Sequence, residues 1–250
     1  MPRTDLTIAT PDGDAPAFLH TPGGAGPWPG VILYVDAGGV RKAMHDMAAR
    51  LAGLGFAVLL PDVYHRHGDW APFDMSTVFS DDAERERLMG MLGSLEPGLV
   101  TADAQAWVGA LLDRPEVSGS RVGVTGYCMG GVMSLRTAAA QPERVAAAAA
   151  FHAGNLATDD PASVHRLADR IRASVYVAGA ENDRSFPDEQ RERLVAALSD
   201  AGVDHTVETY PAAHGFAVPD TLAHDATAEQ RHWEALNTLL TTHLRPGPAR

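Results

Sequence analysis

Cysteine is almost absent from this sequence: among 250 residues, only position 128 carries a thiol. A single cysteine cannot form a disulfide within the chain, so a disulfide framework is excluded. A zinc or redox site built on a pair of cysteines is excluded for the same reason. Cys128 therefore either packs as a small buried side chain or has a chemical role of its own.

Positive charge is also scarce. The chain has 20 Lys and Arg residues against 32 Asp and Glu residues, which gives a formal net charge of -12 with histidine neutral. Nucleic-acid grooves and docking surfaces for anionic lipid both need clustered Lys and Arg side chains. We therefore expect no nucleic-acid partner and no membrane partner.

Long apolar runs are the third absence. No stretch approaches the roughly 18 apolar residues that span a bilayer, and the polar N-terminal segment lacks the apolar centre of a signal peptide. A cytoplasmic protein is the resulting expectation. The sequence carries no mark of its oligomeric state, and we take a monomer as the simplest expectation.

Short apolar segments alternate with helical patterns along most of the chain. Strands are predicted at 4–10, 15–21, 31–36, 56–62, 121–126, 145–154, 173–179 and 204–211. Helices are predicted at 42–55, 81–92, 101–113, 130–141, 187–202 and 226–244. Such alternation predicts an α/β protein with a mainly parallel central sheet and helices on both faces.

Nothing in the composition divides the chain, so residues 1–250 are predicted to form a single domain with a loose C-terminal tail at about 245–250. One strand needs an argument, because the alanine-rich segment 145–154 favours a helix by propensity alone. Its place between a helix and a glycine turn indicates a buried strand instead. The segment 101–113 is expected to begin with Thr101 as its cap.

Cys128 stands between a predicted strand and a predicted helix, in the stretch Gly126-Tyr127-Cys128-Met129-Gly130. A nucleophile at such a junction needs a sharp, strained turn, and flanking glycines leave room for it. The turn presents the side chain above the sheet and aims the next N–H, that of Met129, at the same place. The start of the helix adds a positive dipole that favours anions there.

A nucleophile also needs a base, and the base needs an orienting group. His214 follows the last predicted strand and Asp183 follows the strand before it, where parallel sheets bind their ligands. Glu181 is the second candidate for the acid. The order nucleophile, acid, histidine is that of the α/β-hydrolases.

A further carboxylate, Asp36, follows the strand 31–36 at the same predicted edge. The N–H of its neighbour Ala37 is a candidate for the second oxyanion donor beside Met129, because acyl transfer needs two such donors. The alternative is that Asp36 only caps the following helix.

These pieces together resemble dienelactone hydrolase, also called carboxymethylenebutenolidase, a family of the α/β-hydrolase superfamily. The resemblance runs over about residues 5 to 243. It rests on the stretches "GYCMGG", "GAENDRSFP", "YPAAHGF" and "LPDVYHRHG". A cysteine where most α/β-hydrolases have serine is the most specific of these features.

The resemblance implies an α/β-hydrolase fold and a catalytic triad of Cys128, His214 and Asp183, with no cofactor and no metal. It also implies that Asp36, at a position where the family usually has glutamate, accepts the thiol proton when substrate enters. The dienelactone-cleaving members hold a substrate carboxylate with two arginines. One of those positions is Val218 here, and Arg85 or Arg87 is the candidate for the other.

The departure at Val218 favours a less anionic ester or lactone over a dienelactone. Tyr127, inside the turn, and His152, after the next strand, are the remaining candidates for substrate contact. The predicted function is thus a cysteine-dependent hydrolase that cleaves a small ester or lactone through a thioester intermediate. The alternatives are a non-catalytic small-molecule binder of the same fold and, less favoured, a peroxide-sensing thiol.

Overall fold

The computed structural model describes residues 1–245. Eight strands in this part of the chain form one sheet, in the order β1-β2-β4-β3-β5-β6-β7-β8. Their bounds are β1 Arg3–Thr10, β2 Gly13–His20, β3 Trp28–Tyr34, β4 Ala57–Pro61, β5 Val117–Tyr127, β6 Val145–Phe151, β7 Ser174–Ala180 and β8 His205–Tyr210.

Six α-helices connect or follow these strands in residues 1–245: α1 Lys42–Gly53, α2 Asp82–Gly93, α3 Pro97–Leu112, α4 Met129–Ala140, α5 Asp188–Asp200 and α6 Ala226–Leu244. Two short 3₁₀ helices lie at His65–His67 and Val164–Arg170. Among the described residues, no helix combines the length and the apolar character needed to cross a membrane.

The sheet is antiparallel at one edge and parallel elsewhere. β1 pairs with β2, and β2 pairs with β4, in antiparallel fashion. The neighbouring pairs from β4 through β8 are all parallel. The mainly parallel α/β sheet predicted from the sequence is therefore confirmed.

The strand order reverses around β3. The chain passes from β3 to β4 on one side of it, whereas β5 joins on the other side. Such a reversal leaves a crevice between the carboxyl ends of the two strands, and ligands of open α/β sheets bind there. The residues that follow β3 and β5 flank this crevice.

Two glycines of β5 show that helices cover both faces of the sheet. Strand residues three apart face opposite sides. A Cβ at Gly123 would run into Leu240 of α6, whereas a Cβ at Gly126 would collide with the backbone of Gly130 in α4. α4 and α6 thus pack on opposite faces, close against β5.

The alanine-rich segment is indeed a strand. Every residue of β6 is buried, and both α4 and α6 pack against it. Small side chains let the two helices approach the sheet closely, so tertiary packing overrides the helix propensity of alanine.

The predicted cap at Thr101 was wrong, and the predicted loose tail lies mostly outside the described residues. α3 begins at Pro97 with Glu96 before it, and Thr101 lies inside the helix, where its hydroxyl donates to the Pro97 carbonyl at 2.8 Å. Proline at the first helical position fixes the start five residues earlier than a cap at Thr101 would. Arg245, the first residue of the expected loose tail, donates to the Leu54 carbonyl at 2.6 Å; residues 246–250 lie outside the described part.

Candidate active site

Six parallel strands each contribute one chemically distinctive residue just after their carboxyl ends. In strand order along the chain these residues are Asp36, Tyr64, Cys128, His152, Asp183 and His214. Because parallel strands end on one edge of the sheet, the six side chains gather at that edge.

Cys128 occupies a strained turn between β5 and α4. Its φ is +53° and its ψ is −118°, a backbone conformation that non-glycine residues rarely adopt. Such strain persists only where the surroundings fix it, and it concentrates at functional sites. Gly126 and Gly130 permit the turn, because a Cβ on either residue would collide with a backbone carbonyl oxygen.

Backbone hydrogen bonds on both sides hold this turn in place. The Cys128 N–H donates to the carbonyl of Phe151 in β6 at 3.1 Å, and its own carbonyl accepts from the Gly131 N–H at 3.1 Å. The side chain remains partly exposed. A small buried cysteine packed like alanine is therefore not what the structure shows.

His214 is bound to Asp183 in the arrangement that a histidine base requires. The distance from His214 Nδ1 to Asp183 Oδ2 is 2.7 Å, and the Asp183 side chain is only 5% exposed. Asp183 Oδ1 accepts from both the N–H and the hydroxyl of Ser185, at 2.8 and 2.6 Å. The carboxylate is thus fixed at one end and orients the imidazole at the other. The other candidate acid, Glu181, is exposed.

The two groups have shifted pKa values in opposite directions. Burial raises the pKa of Asp183, but hydrogen bonds from Ser185 and His214 outweigh it and leave the pKa below its usual value. Burial lowers the pKa of His214, but interactions with Cys128 and then Asp183 raise it, to a net value of about 9. Both neighbours thus favour the protonated form of the imidazole.

Asp36 has a different partner from the one expected. Arg41 donates from Nη1 to Asp36 Oδ1 at 2.6 Å and from Nη2 to Asp36 Oδ2 at 2.9 Å. The same guanidinium reaches Asp220 through Nε and Nη2, both at 2.8 Å. Arg41 and Asp36 are 4% and 6% exposed, respectively. Both oxygens of Asp36 are therefore engaged with a cation, which opposes the predicted role as acceptor of the thiol proton.

A cavity of about 260 Å³ opens above Cys128. Its wall is mainly apolar, and a volume of this size suits a small organic molecule. The lining residues are Asp36, Ala37, Met75, Phe79, Cys128, His152, His214, Gly215, Thr221, Leu222 and Ala223. No group of three or more His, Cys, Asp and Glu side chains placed to hold a metal ion occurs in residues 1–245.

The two expected oxyanion donors lie at this cavity or beside it. Met129 is the first residue of α4, so its N–H has no acceptor within the helix. Ala37 lines the cavity. The buried Tyr64 hydroxyl joins the two positions, since it donates to the Ala37 carbonyl at 2.9 Å and lies 3.5 Å from the sulfur of Met129.

His152 lies at the cavity as the sequence led us to expect, although it is almost completely buried. Its backbone N–H donates to the Ala178 carbonyl at 2.8 Å. Its ring centroid is 5.2 Å from that of His214 and 5.0 Å from that of Phe216.

The structure does not bring the other predicted substrate contacts to the cavity. Arg85 pairs with Asp82 within α2. Arg87 pairs with Glu84 and stacks over Phe73, with its guanidinium carbon 3.7 Å from the ring centroid. Local carboxylates, one helical turn away, thus occupy both arginines.

Tyr127 and Val218 are also turned away from the cavity. Tyr127 is fully buried on the α6 face, where its hydroxyl lies 2.8 Å from Nε2 of His232. Alternation along β5 explains this placement, because it puts Tyr127 on the same face as Gly123. Val218 is fully buried in the core.

Arg41, Asp220, Tyr64 and Ser185 contribute to the site but were not predicted. Ser185 lies two residues after Asp183, a spacing at which aspartate commonly accepts from a backbone N–H, so it was accessible to sequence reasoning. Arg41 and Asp220 are 179 residues apart, and no pattern in a single sequence connects them.

Comparison with known proteins identifies the family of this chain. A sequence model described as the dienelactone hydrolase family matches residues 15–244. The chain belongs to the dienelactone hydrolase family. Both the recognised family and the hydrolase class predicted from the sequence are thereby confirmed.

Individual relatives match over nearly the whole length. A Synechocystis protein, provisionally named a carboxymethylenebutenolidase, is 26% identical over 98% of this chain and 96% of its own length. A crystal structure of a dienelactone hydrolase-like promiscuous phosphotriesterase from metagenomic libraries is 30% identical, with a TM-score of 0.77 over 97% of this chain and 99% of that chain. A Klebsiella pneumoniae structure, provisionally named a dienelactone hydrolase, has a TM-score of 0.84 at 22% identity over 97% of this chain and 99% of that one, which supports the α/β-hydrolase fold.

Proposed function

We propose that this protein cleaves a small, uncharged ester or lactone, with Cys128 as nucleophile, His214 as acid and base, and Asp183 as the group that orients His214. The single observation that carries the proposal is the fixed pair of His214 and Asp183, 2.7 Å apart, at a cavity lined by a strained, partly exposed cysteine. A binding protein would have no need for an oriented base beside a thiol.

The first half-reaction forms a thioester. The imidazolium of His214 stabilises the Cys128 thiolate. The sulfur attacks the carbonyl carbon, and the carbonyl electron pair moves to the oxygen, where the N–H groups of Met129 and Ala37 donate to it. When this pair returns, the carbon–oxygen ester bond breaks and His214 gives its proton to the departing alkoxide.

The second half-reaction uses the same histidine as a base. Acylation removes the hydrogen bond and the electrostatic interaction with Cys128, which together raise the pKa of His214 more than Asp183 does. The imidazole, now neutral, takes a proton from water while the water oxygen attacks the thioester carbonyl. Collapse of this intermediate releases the acid and returns the thiolate beside the imidazolium.

The cavity favours uncharged substrates. Arg41, the cation next to the lining residue Asp36, is already bound by two carboxylates. Arg85 and Arg87 are paired within α2, and Val218 is apolar and buried. The imidazolium of His214 is itself paired with Cys128 and Asp183. A substrate carboxylate would thus lose its hydration without gaining an unpaired cation, which is costly in an apolar cavity.

The experiment is a hydrolysis panel with wild type, Cys128→Ala and Cys128→Ser. The substrates are p-nitrophenyl acetate and butyrate, a neutral lactone, a dienelactone and, given the named activity of one relative, a neutral phosphotriester. We expect turnover of the neutral carboxylic substrates that falls at least a hundredfold in both variants. Tight binding without turnover would support the non-catalytic alternative, and a Cys128→Ser variant with wild-type rates would overturn the thiolate mechanism.

A further inference from the structure

His152 is a buried polar side chain without a protein partner. It is 1% exposed, and within the described residues neither of its ring nitrogens makes a hydrogen bond. Unpaired buried polar atoms are uncommon in native proteins, and each requires an explanation. His152 also has a positive φ of 39°, so the fold maintains a strained backbone at this residue.

The other polar side chains of the cavity are already committed. Both oxygens of Asp36 accept from Arg41, and the Thr221 hydroxyl lies 3.0 Å from the carbonyls of Gly215 and Val218. Cys128 and His214 are used in the proposed reaction. Among the lining side chains of the described chain that carry nitrogen or oxygen, His152 is thus the one with no hydrogen-bond partner.

The environment of His152 determines what it can recognise. Burial lowers its pKa well below 6.5, and the neighbouring His214 and His232 lower it further, so the ring is neutral. A neutral imidazole offers one donor and one acceptor. A hydroxyl group, which also donates and accepts, is the simplest group that can pair with either nitrogen.

The position of the ring indicates which part of the substrate it meets. His152 packs edge to face on His214, with ring centroids 5.2 Å apart. In the proposed reaction His214 delivers its proton to the departing alkoxide, so the alcohol portion of the substrate lies on this side. We propose that His152 is a specificity-determining residue that hydrogen-bonds a hydroxyl on the alcohol portion of the ester or lactone.

This inference rests on the proposed function, which sets where the alcohol portion of the substrate lies. Its test compares two esters of similar length. Glycol monoacetate carries the hydroxyl, whereas propyl acetate has a methyl group in its place. We expect wild type to favour glycol monoacetate in kcat/KM by about tenfold to a hundredfold, because propyl acetate leaves the buried imidazole unpaired. His152→Phe should reduce the preference to about the ratio set by the intrinsic reactivity of the two esters. That intrinsic ratio is the same for wild type and variant, so it cancels when their preferences are compared.

Two variants serve as controls. His20 is another buried histidine with an unpaired ring nitrogen, but it lies on β2 away from the cavity, so His20→Phe should retain the wild-type preference. Asparagine tolerates positive φ better than most residues. His152→Asn therefore keeps the backbone conformation and shortens the side chain, so it should also lose the preference for glycol monoacetate. This variant replaces His152→Phe if His152→Phe does not fold.

A binding measurement separates this inference from the proposed function. Wild type should bind N-(hydroxyethyl)acetamide about tenfold more tightly than N-propylacetamide, and His152→Phe should bind both equally. Equal loss of activity towards both esters in His152→Phe, with the preference intact, would show a structural role and overturn the inference. Absence of turnover in wild type would overturn the proposed function, while the amide pair would still decide the inference.

Discussion

Asp36 and Asp183 occupy equivalent places in the fold but have different partners. Each follows a parallel strand at the carboxyl edge, and each is nearly buried, at 6% and 5% side-chain exposure. Asp183 binds a histidine that can gain or lose a proton. Asp36 binds a guanidinium that remains charged, and a second carboxylate closes that cluster.

Position places both residues at the site, whereas the partner sets what each carboxylate can do chemically. A carboxylate paired with imidazole can orient proton transfer. A carboxylate paired with arginine holds structure, and here it ties the turn after β3 to Asp220 in the loop that also supplies Thr221, Leu222 and Ala223 to the cavity. We therefore expect substitutions at the two aspartates to have effects of different kinds.

Asp183→Asn should have the largest effect on activity. The amide cannot hold His214 in the required tautomer, so kcat should fall about 10³- to 10⁴-fold. Steady-state kinetics on the best ester of the panel measures this, with thermal unfolding to verify that the variant is folded. Ser185→Ala, which removes only one of the bonds to Asp183, should cost far less. A kcat within tenfold of wild type in Asp183→Asn would contradict the assigned role.

Asp36→Asn should mainly reduce stability. It leaves the buried Arg41 with a single carboxylate, and breaking a buried ion pair costs about 3 kcal/mol in the free energy of unfolding. Urea denaturation measures this value. Asp220→Asn is the matched control at the other end of the cluster. Because Asp220 is 38% exposed, the loss there should be about 1 kcal/mol or less.

Activity provides the second half of that measurement. If Asp36 were the acceptor of the thiol proton, Asp36→Asn would lower kcat as strongly as Asp183→Asn does. We expect kcat to fall less in Asp36→Asn than in Asp183→Asn, because the main effect of Asp36→Asn is on the free energy of unfolding. A folded Asp36→Asn variant with kcat reduced a thousandfold would restore the role that the family resemblance implied.

The two clusters should also differ in their response to pH, although this effect is the smallest. His214 has a pKa of about 9 in the folded protein against a reference value of 6.5. Its proton therefore stabilises the fold fully below pH 6.5, and this stability is lost as the pH rises through 9. The ion pair of Arg41 with Asp36 makes no such contribution. Burial lowers the pKa of Arg41, but the two carboxylates outweigh burial and raise it, so Arg41 keeps its proton over this pH range.

Cys128→Ala tests this difference directly. The thiol is the larger contribution that raises the pKa of His214, so its removal should flatten the loss of stability between pH 6.5 and 9. Urea denaturation across that range compares the two proteins, and the ring signals of His214 in nuclear magnetic resonance report its titration. Parallel stability curves and an unchanged titration would contradict the coupling of His214 to Cys128.

The sequence predicted those parts of the molecule that depend on local patterns. Strand ends located Cys128, Asp183, His214 and His152, because the parallel topology brings such ends to one edge. Tertiary contacts decided the rest. Arg41 pairs with Asp36, which is five residues away, but also with Asp220, which is 179 residues away. Arg85 pairs with Asp82 within α2 and does not line the cavity. The sequence alone does not show which carboxylate an arginine will pair with.

Because the site takes one residue from each of six strand ends, its residues are added one after another as the chain is synthesised. Translation delivers Cys128 before Asp183, and Asp183 before His214. A nascent chain that has already exposed its thiol still lacks both the base and the group that orients it. In the proposed mechanism the reactive centre is therefore complete only when β8 and the loop after it have been added to the sheet, so a half-made chain lacks the base that this mechanism requires.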